Sequence, residues 1–205
     1  MSDEMNIVPL FSIPLYFSDL DRPFTAEEEG CFRHYENFKK PNVLNYITIN
    51  TKVLEDIRLK NLKEWIHFHL KKYIDDIIKP KGYIDPKITT SWINFTSKGQ
   101  SHHAHNHPNS FLSGVFYIST DDSDKISFIK GYNDLLRLGK KQYDLFNSDT
   151  WWMPATTKRL YIFPSTLIHN VPEVKVDQVR ISLSFNSWIS GEIDGNDGGV
   201  SDLNI

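Results

Sequence analysis

The sequence predicts a mainly β, α+β domain: a sandwich or jelly-roll core with flanking helices. From Ile88 onward, short runs rich in β-branched and aromatic residues alternate with turn residues, which favours packed antiparallel sheets. Before that point lies one strong helical pattern. The chain has 205 residues, 40% of them hydrophobic, enough for a single sizeable core.

In order along the chain, residues 1–20 read as one or two opening strands and residues 26–40 as a short helix. Leu54, Ile57, Leu62, Trp65, Ile66, Leu70, Tyr73, Ile74 and Ile77 then recur mostly at spacings of three and four. That spacing marks an amphipathic helix, ended by Pro80 and packed on the outside of the β core. Ile88–Ser97 (ITTSWINFTS) and Phe111–Ser119 (FLSGVFYIS) carry the strand signature. Residues 120–158 read as irregular, with Trp151-Trp152-Met153-Pro154 near their end expected to pack a lid or the core.

In RISLSFNSW, Arg180, Ser182, Ser184, Asn186 and Trp188 share one polar face, while Ile181, Leu183, Phe185 and then Ile189 mark the other as apolar. Such a face lines a cavity or meets solvent. An arginine there favours the cavity, because its planar fork matches a carboxylate bidentately. The domain is expected to span 1–189, and the tail 190–205, with four glycines and three aspartates, to be flexible.

A net charge of −3 gives no basic surplus for binding nucleic acid through its phosphates. The single cysteine, Cys31, excludes an internal disulfide and is expected to be a buried structural thiol. No apolar run reaches the roughly 18 to 20 residues of a membrane span, and the acidic, proline-interrupted start does not resemble a signal peptide. The protein is therefore expected to be soluble and cytoplasmic.

Four of the eight histidines, His102, His103, His105 and His107, fall within six residues, between two predicted strands. Strand side chains alternate, so His105 and His107 can grip one metal ion, with His169 closing a facial triangle that leaves positions open for substrates. His103 shares that parity, so alternation leaves the 103/105 and 105/107 pairs both open. Pro108 pushes His107 toward extended backbone. His102, on the opposite parity, is expected to face solvent, and His34, His67 and His69 to be structural or surface residues.

The runs HNHPNSFLSGVFYI (105–118), LYIFPSTLIHNV (160–171) and VRISLSFN (179–186), with IVPLFSIPLY near the start, resemble the 2-oxoglutarate (2OG) and Fe(II)-dependent oxygenases. The likeness is to a bacterial and phage branch, with prolyl hydroxylases as more distant relatives, and it extends over about Ile7 to Ile189 with a patchy stretch from Thr120 to Arg159. It implies a double-stranded β-helix (cupin-like jelly roll) and a dioxygenase, a hydroxylase of an unidentified protein side chain or metabolite, using Fe(II), 2OG and O2. His105, His107 and His169 match the catalytic metal ligands, which selects the 105/107 pair. Arg180 matches the residue that holds the distal carboxylate of 2OG. Ser182 and Tyr117 match its hydroxyl partners, and Asn94 resembles an asparagine that some members place near 2OG.

His107 stands where the family usually has an aspartate. A carboxylate would cancel one charge of Fe(II), whereas three neutral imidazoles leave the site dicationic. Two alternatives follow: a cupin-like metal-dependent dioxygenase or isomerase that does not use 2OG, or a metal-free binding or structural module.

Overall fold

The computed structural model describes residues 7–131, 138–193 and 203–204. After β1 (Tyr16–Asp19), helix α1 (Ala26–Glu36) is opened by a reciprocal cap. The Thr25 hydroxyl accepts from the Glu28 N–H, and the Glu28 carboxylate accepts from the Thr25 N–H. Glu28 is buried and bonded at 2.8 and 2.7 Å by both Arg22 terminal nitrogens. Strands β2 (Lys39–Pro41) and β3 (Tyr46–Thr48) follow.

The predicted 54–77 helix is interrupted. Two 3-10 turns, Val53–Glu55 and Ile57–Leu59, precede α2 (Lys60–Lys72), and a π turn runs over Tyr73–Ile78. Asp56 breaks the ladder with extended backbone, and its carboxylate accepts from the Arg58 N–H and guanidinium. Ile57 is consequently 79% exposed and leaves the apolar stripe. Lys79, in the left-handed region at φ 54°, closes the segment just before Pro80.

The β core comprises β4 (Ile84–Thr96), β5 (His102–His105), β6 (Leu112–Ser119), β7 (Lys125–Ile129), β8 (Thr150–Pro154), β9 (Arg159–Pro164), β10 (His169–Val171), β11 (Arg180–Ile193) and β12 (Leu203–Asn204). A large antiparallel sheet has the order β1-β9-β6-β11-β4-β3-β2, with β12 also paired to β11, and a second sheet has the order β5-β10-β7-β8. This is a jelly-roll core, as the strand pattern predicts.

Alternation on the central strands divides the interior in two. Phe116, Ile118, Leu160, Ile162, Leu183 and Phe185 face the layer of α1 and α2, while Val115, Tyr117, Tyr161 and Phe163 pack toward Ile126 and Phe128 of the second sheet. Both faces of β6 and β9 are therefore buried, which explains their nearly unbroken apolar sequence. Gly114 is required where β6 pairs with β11, because a Cβ there would lie 2.3 Å from Phe185 Cζ and 2.8 Å from the Tyr161 carbonyl oxygen.

Two expectations are corrected. Residues 120–158 include β7 and β8, half the strands of the second sheet, whose short runs KISFI and TWWMP acquire strand structure by pairing with each other. Trp151 and Trp152 lie outside the core, 39% and 56% exposed on the edge strand β8. Trp188 is 43% exposed and does not line the cleft; it lies past the point where the register with β4 slips between Asn186 and Ser187. Of the tail, residues 190–193 continue β11 and 203–204 pair with it, while 194–202 and 205 lie outside the described residues. Cys31 is a buried free thiol, as expected.

Candidate active site

Between the two sheets lies a cleft of about 540 Å³, counted with its open mouth. One end holds histidines. β5 and β10 run antiparallel with His105 directly opposite His169, so residues 64 apart in sequence become cross-strand neighbours. His107 lies beyond the end of β5 in a loop, and its N–H donates to the Ser165 carbonyl at 2.9 Å. Ser165, from the FPS run, is in turn bonded through its hydroxyl to Ser113 at 2.7 Å, and Ser113 to Asn186 at 2.8 Å. The loop is thus tied to the central strands. Strand alternation is not what brings His105 and His107 together; that loop is.

The potential ligand atoms of His105, His107 and His169 lie within 4.8 Å of one another. His105 Nδ1 donates to the His103 carbonyl at 2.8 Å and His169 Nδ1 to the Leu167 carbonyl at 3.0 Å. Both rings therefore carry their proton on Nδ1 and keep the Nε2 lone pair for a metal. Burial holds all three imidazoles neutral: His107 is pushed down to about 3 and His169 to about 4, with neighbouring histidines adding to the shift, and His105 is lowered by the same burial.

The flanking histidines depart from expectation in one case. His102 does not face solvent: it lines the cleft, with its ring stacked 4.5 Å from that of His105, and burial pushes it to about 3. His103 is exposed. It joins His102 and His105 in a second histidine group that does not include His169. His69 is structural, accepting or donating at 2.6 Å with the Tyr16 hydroxyl.

Arg180, Ser182, Tyr117 and Asn94 line the same cleft. Arg180 is 3% exposed and Tyr117 1% exposed. The Tyr117 hydroxyl is buried and has no hydrogen-bond partner, and burial raises its pKa while the positive charge of Arg180 opposes the rise. Asn94 is already engaged, accepting from Trp92 Nε1 at 3.2 Å and donating to Ser184 Oγ at 2.9 Å. Sequence reading missed Asp124, whose Oδ1 lies 3.2 Å from Arg180 Nη1 with both side chains about 95% buried. No local motif announces it, since the pair spans 56 positions.

The family described as "Putative 2OG-Fe(II) oxygenase" matches residues 90–186, a stretch that contains every cleft residue named above. Over this stretch, a little under half of the chain, the sequence matches the 2OG-Fe(II) oxygenases. The protein is accordingly an oxidoreductase whose cofactors are Fe(II) and 2OG. Among solved structures, the oxygenase resembles a prolyl hydroxylase from Trichoplax adhaerens bound to a hypoxia inducible factor fragment, at 10% identity and a TM-score of 0.60, over 85% of this chain and 83% of that one. A Pseudomonas putida prolyl-4-hydroxylase superposes with a TM-score of 0.56 at 14% identity, over 85% and 93% of the two chains. HygX from Streptomyces hygroscopicus, with nickel, 2-oxoglutarate and hygromycin B bound, gives a TM-score of 0.58 at 8% identity over 85% and 82%. At these identities the likeness is one of fold. No curated protein sequence matches the chain. Among the described residues, no helix is long and apolar enough to cross a membrane.

The residues fit the cofactors. Three neutral imidazoles with their ligand atoms within 4.8 Å of one another suit Fe(II). At the other end, a buried guanidinium and an unpartnered buried hydroxyl are what a carboxylate would satisfy.

Proposed function

We propose that the protein is a 2OG-dependent hydroxylase in which His105, His107 and His169 hold Fe(II), while Arg180, Ser182 and Tyr117 hold the distal carboxylate of 2OG. The observation that carries this reading is the shared cleft, with three neutral imidazoles at one end, His169 buried and His105 and His107 half-buried, and a buried arginine beside an orphaned tyrosine hydroxyl at the other. When bound, Fe(II) and 2OG supply oxygen activation coupled to oxidative decarboxylation.

The chain's own residues supply placement and exclusion of water. The His103 and Leu167 carbonyls fix two ligand tautomers. Arg180 and the Tyr117 hydroxyl donate to the carboxylate in a water-poor pocket, where such bonds are strongest. Asn94 braces the Ser182–Ser184 stretch of β11, donating to Ser184 Oγ, so its role is to hold the cleft wall beside 2OG. His102, stacked on His105, forms part of the same wall, and the substrate is a protein side chain or a small metabolite.

Calorimetric titration of 2OG into anaerobic Mn(II)-loaded protein, with succinate formation on Fe(II) and O2, tests the reading. The absence of a carboxylate from the three-histidine group favours one competing reading, a cupin-like enzyme in which Arg180 binds a substrate carboxylate. Metal binding without 2OG binding would select that alternative.

A further inference from the structure

Among the described residues, Arg180 is the one permanently charged side chain lining the cleft. It is not free. Its guanidinium bonds Asp124 Oδ1, and no other side-chain bond of Arg180 is formed among the described residues. Asp124 is itself rigidly placed at the turn into β7. Its Oδ2 accepts from the Asp121 N–H at 3.0 Å, its own N–H donates to the Asp121 carbonyl at 3.0 Å, and its carbonyl accepts from the Ala155 N–H at 2.9 Å. A turn with this many bonds holds the carboxylate, and through it one edge of the guanidinium, in a fixed orientation. The donors of Arg180 not used by Asp124 remain for a ligand in the cleft.

The charges of the cleft make this pair more than a brace. Three neutral imidazoles contribute nothing, and Arg180 with Asp124 sums to zero. A divalent metal then makes the site +2, which a dicarboxylate dianion cancels. Without Asp124 the site would keep one positive charge in excess when fully loaded. Water is largely excluded, so that difference is weakly screened.

We propose that Asp124 is a resident counter-ion of Arg180 that both positions the guanidinium and competes with the incoming distal carboxylate, setting the affinity for 2OG below what Arg180 alone would give. The proposal rests on the reading of Arg180 as the 2OG subsite. In the unliganded protein Asp124 satisfies a buried arginine. In the loaded protein two carboxylates share one guanidinium, and their repulsion eases departure of the dicarboxylate product.

The test compares wild type, Asp124→Asn and Asp124→Ser by calorimetric titration of 2OG and of succinate into Mn(II)-loaded protein, together with thermal unfolding of the unliganded proteins. Like-charge repulsion between carboxylates sharing one guanidinium outweighs the positioning lost with the Asp124–Arg180 bond. Both variants should therefore bind 2OG and succinate roughly tenfold more tightly, while unfolding at lower temperature without ligand because Arg180 is left unpaired. The opposite signs matter: a merely structural role would weaken ligand binding and stability together. Unchanged or weaker 2OG binding in a folded variant, with wild type binding normally, overturns the role of Asp124 alone. If wild type binds no 2OG, or Arg180→Ala binds it equally well, the subsite reading fails and this inference falls with it.

Discussion

Truncating Arg180 to alanine tests the cosubstrate subsite, and the structure makes its consequences twofold. First, the 2OG carboxylate loses a buried charge-assisted partner, which should cost roughly 2–5 kcal/mol of binding, a weakening of roughly thirtyfold or more. Second, the change strands Asp124, 7% exposed, without its counter-ion. Breaking a buried pair by removing one partner destabilises a fold by roughly 3–5 kcal/mol. Denaturant unfolding and 2OG titration on Mn(II)-loaded protein separate the two effects. The double variant Arg180→Ala/Asp124→Asn isolates them further: it should recover part of the lost stability, since no charge is left buried, and only that part of the 2OG affinity which repulsion by the stranded Asp124 had removed. Metal affinity should persist in both variants, because Arg180 is not among the converging histidines. Arg180→Lys should restore binding only partly, lacking the fork. A 2OG affinity in the folded Arg180→Ala protein equal to that of wild type would refute the assignment.

Other outcomes follow from the same geometry. His169→Ala should abolish stoichiometric Mn(II) binding while His103→Ala should leave it intact; full occupancy without His169 would remove the triad as drawn. The burial that holds His107 near 3 and His169 near 4 keeps these ligands neutral well below the histidine reference of about 6.5. Mn(II) affinity should therefore hold as pH falls to about 5 and collapse on approach to 4, and half-loss near pH 6.5 in a binding titration would contradict the buried site. The same depression makes the unfolded chain bind more protons than the native one below about pH 6.5, so metal-free stability should fall on acidification. The slope should be about 1.4 kcal/mol per pH unit for each such histidine, measurable by urea unfolding across that range. Gly114→Ala should destabilise by roughly 1–3 kcal/mol or more, since its Cβ would meet Phe185 and the β9 backbone, and an unchanged unfolding midpoint would show that β6 and β11 can separate.

Local chemistry along the chain is enough to announce the β core from Ile88 onward, the stripe of Leu62, Ile66 and Leu70, and the residue types of a metal and carboxylate site. Periodicity and hydrogen-bonding capacity are properties of neighbours in sequence. Where a neighbour changes the outcome through space, the signal disappears. The Asp56 break in the 54–77 pattern depends on a carboxylate folding back onto Arg58. The strands of 120–158 are too short to declare themselves, and exist through pairing with β10 and with each other.

The site shows the same division. That His105, His107 and His169 are ligand-capable is written in the chain, and Arg180 stands out because a polar strand face on the surface needs no arginine. Which histidines meet is a matter of register. The pairing of His105 with His169 and the tether from His107 to Ser165 select the triad, turn His102 into the cleft against its sequence parity and leave His103 outside. Asp124 is the extreme case, one acidic residue in a polar turn like Asp121 and Asp122 beside it. Only packing of the second sheet over β11 buries it against Arg180, and burial is what raises the interaction of two charges from the small value it has in water to one that governs a binding site.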